Sequence, residues 1–220
     1  MAEEFLNPFE SEEISPLHAG HWNAKRRVAQ AIRELTEVLV TSAPPIDELH
    51  NIAEELEKTA ISFRQTPRIY GHLAFFERHG HGSFGEVNNE LNPLGGKSNP
   101  LAPPLKMWTK SHRAYAKVTM GWSYEGPPHC VHGGYVAALF DQFMGAAQCL
   151  GDTPGMTGTL TTRYIKPTPL NTQLNLEAWI EKVEGRKTTI ASTMHADDTL
   201  VARCEAMFIK PRNGIGLKRS

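Results

Sequence analysis

The chain has 220 residues, with 23 Lys and Arg against 24 Asp and Glu for a formal net charge of −1. That is long enough for one well-cored domain plus an appendage, and it gives no overall attraction for nucleic acid. Three cysteines, Cys130, Cys149 and Cys204, are an odd set that does not read as a disulfide framework, which predicts a reducing, cytoplasmic setting.

The acidic opening MAEEFLNPFESEE lacks the basic and apolar regions of a secretory signal and the Arg-rich character of a transit peptide; no apolar run reaches membrane-spanning length. Residues 24 to 40 place Val28, Ile32, Leu35, Val38 and Leu39 at helical spacing, and residues 46 to 63 repeat the pattern with Ile46, Leu49, Ile52, Ala53, Leu56, Ala60 and Phe63. Ser42-Ala43-Pro44-Pro45 separates them, so an antiparallel helix pair with a packing or capping role is expected. From 79 to 105, HGHGSFGEVNNELNPLGGKSNPLAPPL is crowded with Gly, Pro and Asn without a sustained period, which predicts a loop or linker. The chain thus divides into a helical extension (1–78), a linker (79–105) and a main domain (106–220). His79 and His81, with His18 and His21 upstream, lack the spacing of a zinc set, and no metal is expected.

Past the linker, His112 to Met120 is strand-like. VHGGYVAALFDQFMGAAQ (131–148) then reads as an apolar helix opened by His-Gly-Gly and carrying one carboxylate, Asp141. Val136, Leu139, Phe140, Phe143 and Leu150 fall on one face; Gly134, Ala137, Ala138, Asp141, Gly145 and Gln148 fall on the other. An isolated carboxylate in apolar surroundings costs several kcal/mol unless it is partnered or exposed, so Asp141 is a candidate for chemistry presented in a slot of small residues. TGTLTTRYIKPTPL (157–170) predicts a strand. The alternation of Leu174, Leu176, Ala178 and Ile180 predicts another, the Glu184-Gly185 turn returns the chain through Lys187 to His195, and Leu200, Ala202, Cys204, Ala206 and Phe208 face one way on the last strand. One long buried helix followed by an antiparallel meander is an α+β layout with the sheet curled over the helix.

From about Pro104 to Pro211 the chain resembles the hotdog-fold acyl-CoA thioesterases of the phenylacetate-pathway type. The resemblance rests on HGG at 132 to 134, the helical Asp141, the strand from Thr157 to Leu170 and the hairpin KVEGRK at 182 to 187. A KVEGRK-like hairpin also resembles the branch with the mitochondrial long-chain acyl-CoA thioesterases. The resemblance implies hydrolysis of an acyl-CoA thioester without a cofactor. Gly133 N–H would be the oxyanion donor, His132 would shape the site, Asp141 would be general base or nucleophile, and Thr157 would orient the water or the carboxylate. Such enzymes often carry Asn or Gln shortly before the His. Residues 121–131, GWSYEGPPHCV, have neither, leaving Ser123, Glu125 or His129 to substitute, or the water to be held differently. Gly134 would lie at the substrate, and Arg163, Lys166, Arg186 and Lys187 form a candidate cluster for the coenzyme A phosphates.

A hotdog hydratase is disfavoured, since its pattern resembles a helical Asp followed five residues later by His, and Ala146 stands there. A non-catalytic acyl-CoA-binding or regulatory protein is the alternative from a different class. The eight positions from Gly133 to Asp141 correspond to about 12 Å of helix, too far for one carbonyl to touch both. The carboxylate is therefore expected from another helix, and the hotdog resemblance implies which one: two such subunits pair isologously as a homodimer, or a dimer of dimers, whose sites would combine His132 and Gly133 of one chain with Asp141 and Thr157 of the other.

Overall fold

The computed structural model of the chain describes residues 19–79 and 84–212. Four helices come first: α1 (Ala19–Thr41), α2 (Ile46–Arg64), α3 (His72–His79) and α4 (Phe84–Leu91). Strands β1 (Lys106–Lys110) and β2 (Arg113–Thr119) lead through a 3₁₀ turn at Trp122–Tyr124 into α5 (Gly133–Ala147), and β3 (Met156–Tyr164), β4 (Gln173–Glu184), β5 (Lys187–Ala196) and β6 (Thr199–Ile209) follow among the described residues. His18 and His81 lie outside the described residues. No described helix is long and apolar enough to cross a membrane.

All strand pairs are antiparallel, in the order β1-β2-β4-β5-β6-β3. Period-2 sequence becomes one face of this sheet: Leu174, Leu176 and Ala178 on β4, Ile190 and Met194 on β5, and Ala202, Cys204, Ala206 and Phe208 on β6 are buried. Against that face lie Val136, Leu139, Phe140, Phe143 and Met144 of α5. Each such side chain contributes roughly 1.5–3 kcal/mol by leaving water, which outweighs the poor helix propensity of Gly133, Gly134 and Gly145. The α+β hotdog architecture expected from the sequence is the one observed.

The sheet differs from expectation at two places. β1 has no alternation to announce it, because four of its five residues are exposed. The strand expected to run to Leu170 stops at Tyr164; Pro167 and Pro169 have no N–H for a ladder.

The N-terminal helices form where the periodicity places them, but α1 packs by a different face. Val28, Ile32, Val38 and Leu39 are 42–59% exposed, and α2 buries no residue at all. α1 docks instead through Trp22, Arg26, Ala29, Arg33 and Glu37, spaced three or four apart along one side. Trp22 and Ala29 are buried, with Trp22 against the Phe75 ring at 5.7 Å. Arg26 pairs with the buried Glu90 of α4, which also accepts the Ser98 hydroxyl. Arg33 Nη1 donates to the Asn99 carbonyl at 3.0 Å. The stretch 79–105, expected as loop or linker, therefore contains α4 and forms part of the seat for α1.

Replacing Glu90 by alanine leaves the Arg26 guanidinium and the Ser98 hydroxyl without their acceptor, and urea unfolding is expected to show a loss of about 2–3 kcal/mol. Glu54→Ala, which removes an exposed pair with Lys58 at 3.7 Å, is expected to change stability by less than about 0.5 kcal/mol.

Candidate active site

His132 is the N-cap of α5. Its Nδ1 accepts the Gly134 N–H at 3.0 Å, and its carbonyl accepts the N–H groups of Tyr135 and Val136. Accepting at Nδ1 places the single proton of the neutral ring on Nε2, so the exposed imidazole keeps one N–H to donate. First-turn amides have no partner inside their own helix. Here the Gly133 N–H is the one with no protein acceptor among the described residues. At the positive end of the helix dipole it is a donor suited to a developing oxyanion.

Asp141 sits two turns on, half-buried, and its Oδ1 accepts the Thr157 hydroxyl at 2.9 Å. Partial exposure and this bond answer the desolvation cost that the apolar sequence posed. Cys204 lies nearby. Burial pushes its thiol up; the Thr162 hydroxyl at 3.5 Å opposes this and the Asp141 charge adds to it, which leaves a protonated thiol rather than a nucleophile.

Strand β3 serves both ends of the helix, and a register shift makes that possible. Thr157 pairs with Phe208 and Thr159 with Met207, so Gly158 is an extra residue in the ladder. Without it Thr157 would share the outer face with Thr159, Thr161 and Arg163. With it Thr157 joins Leu160, Thr162 and Tyr164 on the side facing α5. Tyr164 donates its hydroxyl to the Gly133 carbonyl at 2.9 Å. The sequence pattern did not single out Tyr164, although its helix-facing register with Leu160 and Thr162 was the available signal. Buried Gln148 ties the same strand's start to the helix end, donating to the Gly145 and Gly155 carbonyls and accepting the Gly155 N–H at 2.6 Å.

Of the residues able to replace the missing Asn or Gln, Ser123 donates its hydroxyl to Glu37 and Glu125 accepts the His129 N–H. The four cations do not form one cluster within the chain. Arg186 and Lys187 occupy the β4–β5 hairpin at the Thr157 end of the sheet, since Lys187 and Met156 both pair with Ile209. Arg163 pairs with Arg203, and Lys166 N–H donates to the Val201 carbonyl, at the Gly133 end. The strand between Arg203 and Ile209 separates the two groups by about 20 Å. Among the described residues no three His, Cys, Asp or Glu side chains gather to hold a metal ion.

A sequence profile described as "Thioesterase superfamily" matches residues 129–203, which span the His132 cap, α5, Asp141 and most of the sheet. The crystal structure of a thioesterase superfamily protein matches over 84% of this chain and 94% of its own, with 32% identity and a TM-score of 0.71. The chain belongs to the thioesterase superfamily. That match extends beyond the profile into the N-terminal half. Among characterised relatives, acyl-coenzyme A thioesterase THEM4 of Xenopus laevis is 38% identical over 88 residues, 39% of this chain and 40% of the relative. The Mus musculus protein of the same name is 34% identical over 92 residues, 41% of this chain and 40% of its own. The matched region is thus about two fifths of the length of either relative.

Proposed function

We propose that the protein hydrolyses an acyl-CoA thioester to the carboxylic acid and free coenzyme A, in a site built from two copies of the chain. The observation that carries this reading is the bond between Thr157 and Asp141, set against an unpaired Gly133 N–H at the far end of the same helix. Thr157 holds Oδ1 and leaves Oδ2 to take a proton from water as that water attacks the thioester carbonyl. The oxyanion forms against Gly133 N–H, assisted by His132, with Gly134 alongside, and collapses to expel the coenzyme A sulfur, which leaves as the thiol by taking back the proton that Asp141 received from water.

A separation of about 12 Å along the helix is too long for one carbonyl to span, which supports taking the two groups from different chains. The two sheet edges differ in a way that supports this. β1 is five residues long and ends in Lys106 and Lys110, whereas β3 offers nine residues, four of them Thr, with no charge before Arg163. Antiparallel pairing of β3 with its copy about a two-fold axis sets the Thr157 end of one chain beside the Tyr164 end of the other. The same pairing brings Arg163 and Lys166 of one chain toward Arg186 and Lys187 of its partner, forming across the dimer the phosphate site that neither chain holds alone. The names of the characterised relatives support the acyl-CoA substrate class.

The reading is tested with hexanoyl-, phenylacetyl- and palmitoyl-CoA, scored by thiol release. Asp141→Asn is expected to keep the fold and acyl-CoA binding while lowering turnover by about 10² or more. Wild-type turnover in that variant removes Asp141 from the chemistry, and tight binding without turnover in the wild type favours a non-catalytic acyl-CoA-binding protein. Arg186→Ala with Lys187→Ala is expected to raise KM much more than it lowers kcat, because contacts to the remote nucleotide act alike on ground and transition states. An unchanged KM takes this pair out of the site.

A further inference from the structure

The 3₁₀ turn Trp122–Tyr124 is anchored from outside the thioesterase core. Glu37, in the last turns of α1, accepts the Trp122 N–H at 2.8 Å on Oε1, and the Ser123 N–H at 2.9 Å and Ser123 hydroxyl at 2.6 Å on Oε2. These contacts join residues 85 and 86 positions apart. Opening amides of a helical turn need an acceptor, and a carboxylate supplies bonds about twice as strong as neutral ones. Burial works against the Glu37 charge, yet the bonds from Ser123 and Trp122 outweigh it and hold the carboxyl below its usual range. The approach is close enough that a Cβ on Gly121 would lie 2.8 Å from the carboxylate.

The other side of the turn touches the tip of α5. The Tyr124 carbonyl accepts the His132 N–H at 2.8 Å, and the Tyr124 ring meets the Tyr135 ring edge-on at 4.8 Å. The loop then folds back so tightly that a Cβ on Gly126 would lie 2.7 Å from His132 Cα. Two steps of hydrogen-bonded backbone therefore separate Glu37 from the His132 cap and the Gly133 amide.

We infer that Glu37 is a positioning residue for thioester hydrolysis, through which α1 sets the place of His132 and the Gly133 oxyanion donor. This rests on the function proposed above. The side of α1 that docks carries Arg26, Arg33 and Glu37 beside buried Trp22 and Ala29, while Val28, Ile32, Val38 and Leu39 are left outward.

Glu37→Ala is expected to lower kcat about tenfold or more with KM within about twofold, since misplacing an oxyanion donor costs turnover rather than nucleotide binding. Glu37→Gln, which keeps one acceptor oxygen, should fall between the two. Ser123→Ala should have a smaller effect than Glu37→Ala, and the double variant should be no slower than Glu37→Ala, because the two residues share one interaction. Glu34→Ala, an exposed carboxylate on the same helix, should match the wild type. Hydrogen exchange separates positioning from general weakening: in Glu37→Ala the amides of 122–124 and 132–135 should exchange faster while β4 and β5 keep their protection. A normal kcat in Glu37→Ala beside a wild type whose activity depends on Asp141 overturns the positioning role alone, as does unchanged exchange at 122–135. A wild type without Asp141-dependent turnover overturns the hydrolase reading and this inference together.

Discussion

Rigidity of α5 is the constraint on which the rest of the molecule depends. Its inner face, from Val136 to Met144, is locked into the sheet by close-packed side chains, and such a core does not bend to suit a ligand. The His132 cap and the Asp141 carboxylate are therefore held at two fixed points about 12 Å apart. Small residues on the outer side keep that stretch of helix thin. That separation is the ground for proposing a second helix alongside, from a second copy of the chain.

Two elements relay position to those fixed points. β3 does so for both, Thr157 to Asp141 and Tyr164 to the Gly133 carbonyl, and the extra residue at Gly158 lets one strand face the helix at both contacts. α1 reaches only the cap, by way of Glu37 and the Trp122–Tyr124 turn. Half-exposed carboxylates held by directional bonds recur in both arrangements. In each, one oxygen or more is committed to a neighbour, which sets the orientation of the group as well as its charge.

Much of this was legible from residue pattern alone. β4, β5, β6 and α5 announce themselves because each buries one face and exposes the other, and the alternation of Leu174, Leu176 and Ala178 or the spacing of Val136, Leu139, Phe140 and Phe143 is the direct imprint of that burial. β1 left no such imprint because it buries too little. α4 was hidden among Gly and Pro, and its key residue, Glu90, is a carboxylate sealed by Arg26 and Ser98, which no hydrophobic count can find. The docking face of α1 was misplaced for the same reason: periodicity detects apolar stripes, whereas this helix is seated by Trp22, two ion-pairing or hydrogen-bonding arginines and Glu37. Thr157 could be named from resemblance, but its side of the sheet depends on a bulge, a matter of pairing register that one strand's sequence does not contain.

The central claim is that one site needs two chains, and mixing two inactive variants tests it most directly. His132→Ala and Asp141→Asn chains, each first shown to be folded and inactive in thiol release from an acyl-CoA, are unfolded together, refolded and separated by a charge tag to isolate the heterodimer. A shared site predicts that activity returns, because each heterodimer has one site with both groups intact and one with both lost. A purified heterodimer that stays as inactive as its parents would contradict the account and place His132 and Asp141 of the same chain in one site.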